Sequence, residues 1–301
     1  MELTDKIKKL KKEKNAVILA HNYQHPEIHD IADFVGDSLG LSMSAAKTDA
    51  EIIVFCGVHF MAETAKILSP QKTVLLPDKN AGCPMADMIN ADDLKSLQAT
   101  HPKAVTLCYV NTSAAVKAQC DYCCTSANAL KMAQNILKEN EEIIFIPDKY
   151  LAQYVSSQIG HKLITWEGYC PTHARILPEH IMQAKKLHPQ AKVLAHPECK
   201  PQITELADVV ASTEKMLTYV KKSADTEFII GTEIGIIHRM KKENPEKSFY
   251  PASDTATCPN MKRITLEKVL WSLEDLTYEI TVPQDVMDKA RLSIKRMLQV
   301  T

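Results

Sequence analysis

Glycine is scarce in this chain: 8 of 301 residues, with no GxGxxG and no Walker sequence. That excludes nucleotide binding through a glycine-rich loop. Neither sign of charge dominates, since 36 Lys and Arg stand against 37 Asp and Glu, a formal net charge of −1. Nucleic acid and acidic membrane surfaces are therefore not the expected partners. No apolar run is long enough to span a membrane. The lysine-rich segment MELTDKIKKLKKEKN reads as a charged amphipathic helix with a solvated face, not as a signal peptide. Low-complexity segments and long linkers are also missing. With no export signal, nine cysteines predict a reducing, cytoplasmic setting rather than a disulfide framework.

What is present is a threefold repeat. Cys-Pro pairs occur at Cys83-Pro84, Cys170-Pro171 and Cys258-Pro259, spaced 87 and 88 residues apart. The segments AVILAHNYQ from Ala16, AVTLCYVNT from Ala104 and AKVLAHPEC from Ala191 keep the same period. Each reads as a short apolar strand ending in polar residues: His21-Asn22-Tyr23, Tyr109-Val110-Asn111 and His196-Pro197-Glu198. Aspartates follow at 33, 121 and 208, each with a hydroxyl five residues later: Ser38, Ser126 and Thr213. A further apolar strand recurs near Glu51, Glu142 and Glu227. Strand patterns alternate with helical ones, such as SANALKMAQNILKEN from Ser126. The expected fold is therefore α/β: three pseudo-symmetric units, each a parallel sheet between helices. The Cys-Pro pairs set the expected boundaries at 1–83, 84–170 and 171–259, with the helical tail 260–301 packing on the first unit. Strand carboxyl ends then share one edge per sheet, where ligands bind.

Three thiolates, one from each unit and with no matching fourth, suit an iron–sulfur cluster better than structural zinc. A [4Fe–4S] cluster on Cys83, Cys170 and Cys258 leaves one iron open to a substrate oxygen. The Cys120-x-x-Cys123-Cys124 run lacks a second pair at zinc-finger spacing and reads as small buried thiols. Cys56, Cys108 and Cys199 read the same way. Ser38, Ser126 and Thr213 look like N-caps, and helix N-termini converging on one edge favour an anionic substrate. Glu198, beside histidines, is the natural general base, and His173, three residues after Cys170, stands next to the metal. The residues alone thus lead to a cluster-dependent enzyme acting on a small anion.

AHNYQ at Ala20, GDSLGLS at Gly36, FCGVHFMAETAKIL at Phe55, CYVNTSAAVKA at Cys108, GYCPTH at Gly168, AHPEC at Ala195, GTE at Gly231 and CPNM at Cys258 together resemble the quinolinate synthase family (A-type, NAD biosynthesis) over essentially the whole chain. The resemblance implies three αβα sandwich domains about a central active site and the [4Fe–4S] cluster on the three cysteines. It implies condensation of iminoaspartate with dihydroxyacetone phosphate to quinolinate, with release of phosphate and water. By motif position it implies substrate contacts at His21, Ser38, Tyr109, Val110, Asn111, Ser126, His196, Pro197, Glu198 and Thr213, and acid–base roles for Tyr23, Glu198 and His173. L-aspartate oxidase or an aspartate dehydrogenase is the family's usual supplier of iminoaspartate. Some members carry a C-x2-C-x2-C run at the last ligand; here Cys258 stands alone, so no disulfide switch is expected there. Two other classes use the same features. One is an aconitase-like hydro-lyase acting on a small hydroxy acid. The other is a non-catalytic sensor, which would be expected to carry an additional partner-binding module.

Overall fold

Each alanine-initiated segment forms the first strand of a sheet. The computed structural model describes residues 2–300. Its strands are β1 (Ala16–His21), β2 (Phe34–Gly36), β3 (Ile52–Cys56), β4 (Thr73–Leu75), β5 (Val105–Tyr109), β6 (Tyr122–Cys124), β7 (Ile143–Ile146), β8 (Ile164–Thr165), β9 (Lys192–Ala195), β10 (Val209–Val210), β11 (Glu227–Gly231) and β12 (Ser248–Pro251). They build three four-stranded sheets in the orders β2-β1-β3-β4, β6-β5-β7-β8 and β10-β9-β11-β12. Every pairing within them is parallel. Parallel neighbours need crossover connections, and helices fill these, so the central strands β3 and β7 are buried along their whole length.

The shared strand order decides where a site can form. In each unit the chain leaves the first strand for a neighbour on one side, then returns to pair on the other. A crevice opens at that switch point, beyond the carboxyl end of the first strand. His21 closes β1, Tyr109 closes β5, and His196 directly follows β9.

The repeated aspartates explain how the order is held. Asp33, Asp121 and Asp208 each stand just before the edge strand, and each carboxylate accepts a 2.8 Å hydrogen bond from a first-strand N–H: Ile18, Thr106 and Val193. The aspartate N–H groups return bonds to the carbonyls of the same residues at 2.9, 3.2 and 2.9 Å. A carboxylate accepting from a backbone donor thus fixes the register of each edge strand. These aspartates serve the sheet, not the crevice.

The apolar core divides unequally. The first and second units share one continuous core with the tail, from Ile18 and Phe55 through Ile144 and Phe145 to Ile294 and Met297. The third unit has separate clusters on its sheet faces, Val193 and Ile229 on one, Leu194 and Ile230 on the other. This is the period-2 alternation of a strand. The tail's first helix, Leu266–Asp275, lies on Leu3–Glu13 in the first unit. Its second, Gln284–Leu298, reaches further than the sequence suggests and crosses both units: Arg291 Nε donates to the Ile67 carbonyl (3.1 Å), and Arg296 Nη1 donates to the Asp121 carbonyl (2.6 Å). No helix among the described residues is long and apolar enough to cross a membrane.

Asp121→Ala should lower stability by about 1.5–3 kcal/mol, the usual loss for a hydrogen bond to a charged group, read from the midpoint of urea unfolding. An unchanged midpoint would contradict the register role.

Candidate active site

The three crevices open into one cavity of about 300 Å³, bordered by residues from all three units and from the Cys258 loop. Of the residues named from sequence, His21, Tyr23, Ser38, Tyr109, Asn111, Ser126, His173, His196, Glu198 and Thr213 line it, together with Cys83, Cys170 and Cys258. Val110 and Pro197 belong to the same turns but do not border the cavity; the Val110 N–H instead donates to the Cys124 carbonyl at 2.8 Å.

The hydroxyls are not caps. Asp37 caps the helix Ser38–Lys47, its Oδ1 accepting from the Gly40 N–H at 2.8 Å. Ser212 holds the cap position of Thr213–Lys222, and Asn128 that of Ala129–Ile136. Asp37 and Ser212 have the extended backbone of a cap residue, so Ser38 and Thr213 fall one place later, inside the first turn. Ser126 lies in the turn before its helix. Freed from capping, these hydroxyls border the cavity beside the helix starts.

His21 and His196 adopt the same local design. The N–H two residues on, from Tyr23 and Glu198, donates to the histidine Nδ1 at 3.2 and 3.3 Å. An Nδ1 that accepts must be bare, so the proton of the neutral ring sits on Nε2. Nε2 of His196 lies 3.2 Å from Ser126 Oγ. Burial pushes both histidine pKa values down, to about 3, so at neutral pH the rings offer N–H donors without charge.

A chain of polar contacts crosses the cavity wall. Tyr23 Oη lies 2.7 Å from Thr232 Oγ1, which lies 2.8 Å from His173 Nε2. His173 Nδ1 is 2.8 Å from Glu198 Oε2 and 3.2 Å from Cys170 Sγ. The Tyr109 hydroxyl donates to Glu198 Oε1. The His173 and His196 rings stack with centroids 4.8 Å apart. Burial acts to raise the Glu198 pKa, but the imidazoles of His173 and His196 and the Tyr109 hydroxyl outweigh it and hold the carboxyl below its usual range. Burial and then the Glu198 charge push the Tyr23 and Tyr109 phenols up, so both stay protonated.

The sulfur donors are distinct from the other cysteines. Cys83, Cys170 and Cys258 are half-buried and border the cavity. Burial pushes the Cys83 thiol up to about 12 and raises Cys170 and Cys258 as well. They are therefore thiols until a metal displaces their protons. Cys56, Cys108, Cys123, Cys124 and Cys199 are buried, and neither they nor half-buried Cys120 reach the cavity. The Cys120-x-x-Cys123-Cys124 run is tied up locally: Cys120 donates to the Val116 carbonyl (3.1 Å), and Cys123 to Ser293 Oγ (3.3 Å). An all-sulfur set of three, on a cavity with space beside it, fits an iron–sulfur cluster. The closest mixed group is Cys170, His173 and Glu198, whose donor atoms lie within 4.8 Å of one another.

Sequence reasoning missed Thr232, Glu233, Asp37 and Arg175, all in or beside this wall. Thr232 and Glu233 stand in the GTE motif after β11, but nothing in the spacing assigns a partner to them. Arg175 follows His173 by two residues and brings a cation to the rim.

Acid should destabilise the fold through these groups. A folded-state pKa near 3 lies below the ordinary 6.5, so the unfolded chain binds protons first as pH falls. Stability contributed by His21 and His196 is intact above about pH 6.5 and declines below it. The depressed Glu198 carboxyl adds to the loss once pH falls through the ordinary carboxylate range. Replacing both histidines by Gln, which keeps a terminal N–H, should flatten the fall in melting temperature between about pH 6.5 and 4. An unchanged slope would contradict neutral rings.

Comparison with known proteins agrees with this geometry. The family model described as Quinolinate synthetase A protein matches residues 5–299. The chain is 54% identical over 299 residues to the quinolinate synthase of Methanosarcina barkeri (strain Fusaro), covering 99% of this chain and 98% of that one. It is 53% identical over 298 residues to the quinolinate synthase of Dehalococcoides mccartyi (strain CBDB1), with 99% and 98% covered. It is likewise 53% identical over 295 residues to that of Thermodesulfovibrio yellowstonii, with 98% and 97% covered. With a family model spanning nearly its whole length and relatives more than half identical throughout, the chain belongs to the quinolinate synthetase A family of enzymes.

Proposed function

We propose that this chain condenses iminoaspartate with dihydroxyacetone phosphate to form quinolinate, releasing phosphate and water, and that Cys83, Cys170 and Cys258 hold a [4Fe–4S] cluster at the cavity. The observation that carries this reading is the contact chain from Tyr23 through Thr232 and His173 to Glu198 and Tyr109, lying on the same cavity as the three thiols. The division into units at 1–83, 84–170 and 171–259 belongs to the same reading, since each then supplies one thiol. Functional coupling to an iminoaspartate-producing oxidase or dehydrogenase, in a reducing cytoplasm, goes with it.

When bound, a cluster with one iron not held by protein supplies a Lewis acid for a substrate oxygen. The rest falls to side chains. The neutral Nε2–H groups of His21 and His196 and the hydroxyls of Ser38, Ser126 and Thr213 receive carboxylate or phosphate oxygens, aided by adjoining helix N-termini. Arg175 adds a positive charge for the phosphate. The Asn111 carboxamide oxygen is buried without a hydrogen-bond partner among the described residues, which suits an N–H or O–H of the substrate. Glu198, ionised and held between His173 and Tyr109, accepts a proton. Protonated Tyr23 gives one up, and the Thr232 hydroxyl, 2.7 Å away, steadies the phenolate by donating a hydrogen bond to it.

A second reading rests on the closeness of Cys170, His173 and Glu198, a sulfur–nitrogen–oxygen set that suits a single zinc ion with an open position. Acid-labile sulfide in the loaded protein separates the two.

Glu198→Gln should retain iron while lowering turnover at least about a hundredfold, the scale of a general base. Thr232→Val should lower kcat more than it raises KM, because it removes the hydroxyl that steadies the Tyr23 phenolate rather than a substrate contact. The assay is quinolinate formed from the two substrates, which also distinguishes carbon–carbon bond formation from a simple dehydration. Near-parental turnover in Glu198→Gln would reassign the base.

A further inference from the structure

Thr232 and Glu233, the two residues after β11, serve different ends. Thr232 joins the contact chain; Glu233 turns to the loop that carries Cys258. Glu233 is 0% exposed. Its Oε1 accepts from the Cys258 N–H at 3.2 Å, and its Oε2 accepts from the Gly235 N–H at 2.7 Å. Lys262 Nζ stands 3.2 Å from Glu233 Oε1 and donates to the Tyr23 carbonyl and, at 3.3 Å, to the Gln24 carbonyl. One ion pair therefore holds the backbone of a site cysteine and the backbone of Tyr23, which lies more than two hundred residues away in sequence. Gly235 makes the space. A Cβ there would lie 2.7 Å from Lys262 Nζ, 2.8 Å from Glu233 Oε2 and 2.9 Å from the Tyr23 carbonyl carbon, closer than unbonded atoms approach.

We propose that Glu233 and Lys262 are positioning residues that lock the Cys258 loop to Tyr23, so that the thiol and the phenol keep a fixed relation. The inference rests on the reading of Cys83, Cys170 and Cys258 as the metal-holding set. Burial of an ion pair is a poor route to stability, since apolar residues of similar volume serve as well or better. Here the pair's remaining hydrogen-bonding capacity goes to the backbone at two site residues, the pattern of groups that orient metal ligands. The second unit places an acid at the same position but uses it differently. Asp148 follows β7 by two residues, as Glu233 follows β11, but its Oδ1 caps the helix Lys149–Ile159 by accepting from the Leu151 N–H at 2.8 Å. Asp148 makes no ion pair among the described residues, so the link across units belongs to Glu233 and Lys262. The first unit has Val58 at this place.

The test uses the full chain loaded anaerobically with iron and sulfide, then exposed to a strong iron(II) chelator. Glu233→Gln and Lys262→Met should load fully but release iron about ten- to a hundredfold faster than the parent, the usual scale for losing a group that orients a metal ligand. The double variant should be no faster than the faster single one, because the two act as a unit. Lys262→Arg, which keeps the charge, should restore slow release. Melting temperatures of the same proteins measure general loosening separately. Parental release rates in the single variants, or a Lys262→Arg protein as leaky as Lys262→Met, would overturn the inference. If Glu233→Gln does not fold, Lys262→Met, altered at the partly exposed end of the pair, decides by the same criterion. A parent chain that takes up no iron and sulfide would instead overturn the assignment of the three cysteines.

Discussion

An ionised carboxylate in the middle of the protein sets the terms for its surroundings. Glu198 is 4% exposed, and a buried charge is tolerable only when paired and fully hydrogen-bonded. His173 and Tyr109 meet that demand, one on each oxygen. Both are then committed to fixed orientations. His173 in turn needs a partner for Nε2 and finds Thr232, which brings in Tyr23. Satisfying one charge therefore orders groups from all three units: Tyr23 from the first, Tyr109 from the second, and Glu198, His173 and Thr232 from the third. The units could be held together more cheaply by apolar contact. Their polar junction is what gives the cavity its chemistry.

The division of the core bears on how that junction is kept. The first two units are fused through shared apolar packing and the tail. The third has its own core, against which Tyr23 of the first packs, and is tied to the first by polar links: Arg239 Nη1 to Asn22 Oδ1 at 2.8 Å, Lys242 to Asp30 at 2.6 Å and, through the tail, the Lys262–Glu233 pair. Polar links constrain angle and distance more narrowly than they stabilise. A site assembled from three strand ends needs that kind of constraint, because the strands themselves are anchored in different sheets.

Much of this was legible in the sequence because a repeat makes chance coincidence visible. His21, Tyr109 and His196 at one period mark the strand ends, and the Cys-Pro pairs mark the three thiols that border the cavity. The parallel sheets followed from apolar strands alternating with helical patterns. Other features left no such mark. Thr232 and Glu233 act through partners in distant segments, and Val58 in the first unit breaks the repeat that would have pointed to Glu233. The hydroxyls looked like caps because Ser and Thr beside a helix start usually are. The residues before Ser38 and Thr213 hold that position, a shift of one place that periodicity cannot resolve. The repeated aspartates were visible, but their bond to the neighbouring strand is a matter of register, which only a paired sheet reveals. The sequence places the whole tail 260–301 on the first unit, because a helical pattern does not say how many surfaces a helix covers.

The proposed [4Fe–4S] cluster on Cys83, Cys170 and Cys258 requires one iron that no thiol holds, open to the cavity. The most direct measurement is Mössbauer spectroscopy of the anaerobically loaded chain, with iron and sulfide analysis, before and after adding quinolinate. The expected result is about four irons and four sulfides per chain, the composition of a single [4Fe–4S] cluster, with the signal of one iron changing when the dicarboxylate binds. A metal bound without sulfide, or a cluster whose spectrum is indifferent to saturating quinolinate, would contradict it.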